Sequence, residues 1–296
     1  HAHGRRRPDS AAVALTRTEA GSDAPDDPTV VSTPVETAAV VNRPRALREL
    51  LLVLGLFLVY KLGRILADGH VSRAFENAKR VWHLERFLHF PSEVSVQHLL
   101  LSNEFLVRTA NVYYAVVHFP ATIAFLLWIY FARPGHYLWI RRLMAAATGL
   151  ALAVHLVFPL APPRMLDGVG LIDTAARYGP SVYGPPSTDT LSNQYAAMPS
   201  LHVGWALIVA IGLIWTTRTA WRWLWLLYPA ATFFVVLGTA NHYWLDGIAG
   251  IAIVVLLMPV VLRLTPMPGR AVAARAVSSW RLPKQPKSCE QDQLAR

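Results

Sequence analysis

The sequence holds one cysteine, Cys289, in its polar C-terminal stretch, so no intrachain disulfide can form and cysteine usage says nothing of the redox compartment. Charge is also scarce. Asp, Glu, Lys and Arg make up 16% of the residues against 54% hydrophobic ones, and the mean hydropathy is positive. That balance excludes an ordinary water-soluble domain. No cleavable signal peptide is expected, because the first apolar run begins far beyond the usual N-terminal position. The formal charge of +10 does not point to a nucleic-acid partner. The basic residues gather in the tails and in short loops beside apolar runs, where a membrane protein uses them for orientation and for contact with anionic lipid.

What is present is a series of apolar runs long enough to cross a bilayer, which takes about 20 residues at 1.5 Å rise each. The pattern predicts an all-α polytopic membrane protein with six transmembrane helices. They are expected over 47–66, 105–131, 138–160, 198–215, 221–240 and 242–264. In the first, Lys61 and Arg64 can snorkel near one end. One interfacial amphipathic helix is added over 71–90, with Val71, Phe75, Ala78, Trp82 and Leu88 at helical spacing and Arg73, Glu76, Lys79, Arg80, Glu85 and Arg86 on the other face. Residues 1–44 and 265–296 read as disordered polar tails flanking a membrane domain over 45–264. A Pro- and Gly-rich segment over 161–197 shows no helical pattern; loops of that length are usually functional or disordered.

Short-loop Arg residues set the orientation. Arg43, Arg45, Arg48, Arg133, Arg141, Arg142, Arg218, Arg222, Arg263 and Arg270 fall on one side, together with Trp128, Trp139, Trp215, Trp221, Trp223 and Trp225 as an interfacial belt. That side is expected to be cytoplasmic and to hold both termini. Arg164, His202, His242 and Asp246 then face the extracytoplasmic side of the cell membrane.

The stretch that organises the chain is 193–246. It opens with Ala197-Met198-Pro199-Ser200-Leu201-His202 and closes with Asn241-His242-Tyr243-Trp244-Leu245-Asp246. Two antiparallel spans lie between the histidines, so both imidazoles are expected at one membrane face, and Asp246 falls one helical turn after His242. Pro199 suits the first turn of a helix, whose N-terminus attracts anions. Ser200 adds a hydroxyl, and Arg164 a planar fork suited to phosphate oxygens. Together these parts point to phosphoryl transfer, in which holding and neutralising the phosphoryl group is most of the catalytic work. His242 would be the nucleophile, Asp246 would hold its Nδ1–H, and His202 would serve as general acid and then base. A water acceptor makes the protein a phosphatase; an alcohol such as inositol or another polyol makes it a transferase.

Pro199-Ser200-Leu201-His202 followed by His242-Tyr243-Trp244-Leu245-Asp246 resembles the last two motifs of the type 2 phosphatidic acid phosphatase superfamily of membrane lipid phosphatases and phosphotransferases. Phe158-Pro159-Leu160-Ala161-Pro162-Pro163-Arg164 looks like the preceding stretch in the branch that contains the fungal inositol phosphorylceramide synthases. The resemblance covers residues 158–250. It implies a phosphohistidine at His242, acid/base work at His202, orientation by Asp246, a membrane lipid substrate, and no metal or other cofactor. Two stretches depart from the broad superfamily pattern. Val157 stands where that pattern has a Lys, and Val235 and Val236 stand where it has a Ser-Arg pair. Both departures occur in the synthase-like branch, so they favour a transferase of that kind, with Lys61, Arg64 and Arg177 as further cations for the phosphate.

Other readings of the same residues stay open. An HxxxD pair by itself is often structural. His202, His242 and Asp246 could hold a metal by ligand type, although their anion-binding neighbours suit phosphate better. Asn111, Tyr114 and His118 share one face of the second span and either line a headgroup or acyl pocket or hydrogen-bond between helices. His155 stands in the same position. Asp167, Asp173 and Asp189 are expected to be solvated, unless one of them contacts a polyol headgroup. A reading of another class is a lipid-binding or transport protein without catalysis.

Overall fold

The structure, a computed structural model, describes residues 44–67, 71–180 and 194–265; side chains at 56, 57 and 59–67 lie outside that set. The expectations for the two tails, for Asp189 and for the Lys61 and Arg64 side chains therefore lie outside the described residues. The described residues are all-helical apart from one isolated parallel bridge between Leu160 and Ala196. In chain order the helices are α1 (Ala46–Ala67), α2 (Val71–Phe87), α3 (Glu93–Leu101), α4 (Glu104–Val112), α5 (His118–Ala132), α6 (Pro134–Val157), α7 (Thr174–Tyr178), α8 (Leu201–Thr216), α9 (Leu227–Gly238) and α10 (Trp244–Leu264). A π-helical turn at Tyr113–Val117 joins α4 to α5, and a 3₁₀ stretch at Ala220–Leu226 leads into α9.

Four helical segments are long and apolar enough to cross a membrane: Glu104–Ala132, Pro134–Val157, Ala220–Gly238 and Trp244–Leu264. α8, at 16 residues, is apolar but shorter. The apolar packing is shared between inside and outside. Phe125, Ile129, Ile140, Leu143, Ile208 and Val254 form a buried core between α5, α6, α8 and α10. Meanwhile Ile123, Leu127, Phe131, Val255, Leu256 and Val260 stand exposed on the outer faces of α5 and α10, as lipid-facing side chains do. Trp139 departs from the expected interfacial belt: it is fully buried, with its ring 4.8 Å from that of Trp215.

Side-chain caps fix where several helices start. Ser92 caps α3, Asn103 caps α4 and Asp173 caps α7, each accepting a first-turn N–H. Two short helices, α3 and α7, fall in stretches where no helical pattern was expected. Each spans too few residues to show a period.

α2 is helical as expected, but its packed face is turned. Ala74, Asn77, Ala78, Val81 and Glu85 are buried, while Val71 and Leu88 are exposed. The small residues let α2 lie close against Leu160, Ala161, Ala197 and Tyr243. Asn77 donates to Pro159 O at 2.9 Å, and the Ala161 amide donates to Ala74 O at 3.2 Å. This helix therefore sits on the segments that carry the candidate site.

Candidate active site

Ser200 is the N-cap of α8, its Oγ accepting the Val203 amide at 3.5 Å. Pro199 thus precedes the cap rather than occupying the first helical turn, a correction to the sequence reading. The start of α8 is fastened to the start of α10. Ser200 N–H donates to Asp246 O at 2.9 Å, and the two backbones cross at Gly250, where an added Cβ would meet Ser200 O at 2.4 Å. That close approach brings the rings of His202 and His242 to 5.8 Å between centroids, edge to face.

His242 is not on a helix. It lies in the turn between α9 and α10, so its contact with Asp246 comes from the capping geometry of α10 and not from a shared helix face. Ala240, in the left-handed region at φ 54, reverses the chain after α9, and the amides of Asn241 and His242 both donate to Val236 O. Asp246 Oδ2 accepts the Tyr243 amide at 2.9 Å and lies 3.3 Å from His242 Nδ1. Nδ1 also lies 2.8 Å from Ala197 O. Both neighbours are acceptors, so Nδ1 carries the proton and Nε2 keeps its lone pair. Asp246 is fully buried, and its Oδ1 has no partner among the described residues.

Arg164 approaches from the 160–166 segment. Its amide donates to Ala240 O at 3.0 Å, its Nη1 to Asn241 Oδ1 at 2.6 Å and its Nε to Asp173 Oδ2 at 3.2 Å. The guanidinium is thereby held against the residue that precedes His242. Asp173, expected to be solvated, instead ties Arg164 while capping α7 through Oδ1. Arg177 stacks over Tyr178 at 5.6 Å, and among the described residues no hydrogen bond or ion pair joins it to the histidines.

The face of the α4–α5 helix divides its work. Tyr114 stacks on His202 with centroids 4.5 Å apart, and His118 lies 4.9 Å from the same ring. Tyr228 OH reaches His118 Nδ1 at 3.1 Å. His118 Nε2 and His202 Nε2 are both buried without a hydrogen-bond partner among the described residues. Asn111 is directed elsewhere: its amide donates to Thr174 O and Gly179 O, and its carbonyl accepts from Thr174 Oγ1 at 2.8 Å. All the hydrogen bonds recorded for it go to the α7 segment. His155 Nε2 lies 3.2 Å from Pro199 O, beneath the cap of α8. Among the described residues no group of three or more His, Cys, Asp or Glu is arranged to hold a metal ion.

A family model of the PAP2 superfamily matches residues 79–260, well over half the chain. The chain belongs to the PAP2 superfamily. Comparison with curated proteins finds no match, and none is found among solved structures. The PAP2 match starts inside α2 and ends inside α10, so it takes in Arg164, Ser200, His202, His242 and Asp246 together with α3. PAP2 proteins are phosphatases and phosphotransferases, which makes a lipid-processing membrane enzyme the coarse assignment.

Within this PAP2 chain, the positions that depart from the broad pattern differ in their surroundings. Val236 is buried against Tyr114 and Val203, and Val157 is 70% exposed on the outside of α6. Sequence reasoning missed Glu85, Glu93, Asn241 and Gly250. For Gly250 a signal existed: Gly204 and Gly250 each fall four residues after a residue of the site, and small residues at that spacing let helices meet closely. For the two glutamates there was none, since a charged residue on a polar helix ordinarily faces solvent.

Proposed function

We propose that the protein is an integral-membrane phosphotransfer enzyme acting on the phosphate or phosphodiester of a lipid headgroup through a phosphohistidine at His242. The observation that carries this reading is the state of His242: Nδ1–H held between Ala197 O and Asp246 Oδ2, with Nε2 left free and the His202 ring beside it. Nε2 attacks phosphorus while the bond to the leaving oxygen breaks, and His202 gives that oxygen its proton. Asp246 stabilises the charge that grows on the His242 ring. In the second half the acceptor hydroxyl gives its proton to His202, its oxygen attacks phosphorus, and the P–N bond to His242 breaks. Arg164 neutralises the phosphoryl oxygens, for which Ser200 at the mouth of α8 is a second contact. Tyr114 and His118 form the wall behind His202. No metal or other cofactor takes part.

The absence of the further cations at positions 157, 235 and 236 favours the transferase of the inositol phosphorylceramide synthase-like branch, with inositol or a related polyol as acceptor. Water as acceptor gives the second reading, a phosphatase of phosphatidate, phosphatidylglycerol phosphate or polyprenyl phosphate. Six spans, with α1 and α8 added to the four long segments and α2 lying in the interface, put the site outside and both termini in the cytoplasm. Transfer of ³²P from labelled lipids to water or to inositol separates the two enzyme readings. His242→Ala abolishes turnover and the acid-labile phosphoenzyme; if neither is seen in the unsubstituted protein and its lipid binding is unchanged in the variant, a non-catalytic lipid-binding or transport role is left.

A further inference from the structure

We infer that Glu85 of α2 is a positioning residue for the His242–Asp246 pair, acting through the Leu245 amide. The inference rests on the phosphotransfer reading above. Glu85 and Glu93 are both fully buried. Glu85 Oε1 accepts the Leu245 amide at 2.7 Å across 160 residues of sequence. Leu245 is the residue before Asp246, in the first turn of α10. Two carboxyls therefore satisfy that turn: Asp246 takes the Tyr243 amide and Glu85 takes the Leu245 amide. Asp246 belongs to the helix it caps, but Glu85 comes from a separate helix and fixes the turn from outside.

Glu93 is a second fully buried carboxyl close to Glu85, and Glu85 Oε2 and Glu93 Oε1 are both buried without a hydrogen-bond partner among the described residues. Arg86 pairs with Glu93 at 2.8 Å and stands 3.8 Å from Glu85. One guanidinium thus stands beside two buried carboxyls. Burial first, and then Glu93, push the Glu85 carboxyl up to about 9, as expected where two buried carboxyls share one cation. A buried acid pair costs more than an apolar pair of the same shape, so packing alone does not account for it. What an apolar side chain lacks is an acceptor for Leu245 N–H. Trp244 Nε1 adds a second tie to the same elbow by donating to Pro91 O at 2.8 Å. The His242 ring has one carboxylate behind it, and the position of that carboxylate follows the first turn of α10.

The test compares orthovanadate, which adopts the five-coordinate geometry of phosphoryl transfer, with inorganic phosphate, which resembles the ground state. Both are titrated into the full chain in detergent, with melting temperature followed in parallel. Glu85→Ala is expected to weaken vanadate by about tenfold or more while phosphate affinity changes less than about twofold. Glu85→Gln, which keeps an acceptor for Leu245 N–H and a donor for Glu93, restores vanadate binding. Glu85→Ser serves if the alanine variant does not fold. Equal weakening of both anions, no weakening of either, or a glutamine variant no better than alanine overturns the inference. Failure of the unsubstituted protein to bind vanadate, or unchanged binding in His242→Ala, overturns the phosphotransfer reading instead.

Discussion

The crossing of α8 over α10 makes a quantitative prediction at Gly250. A methyl group there would stand 2.4 Å from Ser200 O, whereas ordinary contact begins at 3.4 Å, so the two backbones must part by up to 1.0 Å, the difference of those distances. The obstacle is a backbone carbonyl, which cannot rotate away as a side chain can. The same movement stretches the 2.9 Å bond from Ser200 N–H to Asp246 O toward the limit of a hydrogen bond. Overpacking of this kind costs about 1–3 kcal/mol, and the weakened hydrogen bond adds about 0.5–1.5 kcal/mol. After the helical gain of about 0.5–1 kcal/mol for replacing Gly by Ala is set against these costs, Gly250→Ala is expected to lose roughly 0.5–4 kcal/mol, seen as a lower melting temperature in detergent. Because His202 rides on α8 and Asp246 on α10, a displacement of that size is also expected to cut phosphotransfer by about 10²-fold. Gly149→Ala is the matched control: nothing lies within 4 Å of its added methyl, and replacing a helical Gly by Ala should stabilise by about 0.5–1 kcal/mol. If Gly250→Ala melts with the unsubstituted protein and turns over at the same rate, the close crossing is not what sets the spacing of the two histidines.

Asp246→Asn exchanges the acceptor at Oδ2 for an amide that can orient either way; loss of about 10³–10⁴ in turnover with intact folding is expected from the loss of a fixed Nδ1–H tautomer, and activity within tenfold of the unsubstituted protein would refute the pairing. Arg164→Lys removes a planar fork that already serves Asn241 and Asp173 at once. It is expected to weaken inorganic phosphate by about tenfold, measured by titration in detergent, and an unchanged affinity would place the phosphate elsewhere. Asn111→Ala should lower stability by about 1–3 kcal/mol by leaving Thr174 and Gly179 without their partner, read by melting, with limited proteolysis showing whether the loosening is confined to the α7 segment. Glu85 governs a pH response. Its carboxyl rises from 4.5 to about 9 on folding, so the folded protein binds the extra proton and the contribution is full below about 4.5. It is lost as pH rises toward 9. Glu93, Arg86, Asp246 and Tyr243 are the groups around it. The melting temperature of Glu85→Gln minus that of the unsubstituted protein should therefore increase from pH 5 to pH 9, and a flat difference would refute the buried proton.

The residues of the candidate site were legible because their spacing in sequence is tied to helix starts. A histidine two residues past a capping serine, and a second one four residues before an aspartate, can be read without coordinates. The route by which they meet was not legible. His242 was expected on a helix face, yet Ala240 in a left-handed conformation ends α9 and leaves the histidine in a turn. Apolar runs revealed the long segments because lipid-facing and core-facing positions are both hydrophobic. The same uniformity hid which face of each helix packs inward. α2 was read only in part: Phe75, Ala78 and Trp82 pack as expected, but the buried face also takes in Val81 and, where a small or polar side chain carries little hydrophobic signal, Ala74, Asn77 and Glu85. Glu85 and Glu93 could not be found from sequence, since only the fold brings them together.

The π-helical turn at Tyr113–Val117 amounts to one residue inserted into an otherwise regular rod. One residue is worth about 100° of rotation, so the portion before the turn faces differently from the portion after it. In this chain the difference lets Asn111 grip the α7 segment while His118 still lies against His202. Deleting a single residue within 113–117 would restore the regular winding and make those two contacts compete for one orientation. A length change there would force the chain to choose between the α7 segment and the buried histidine.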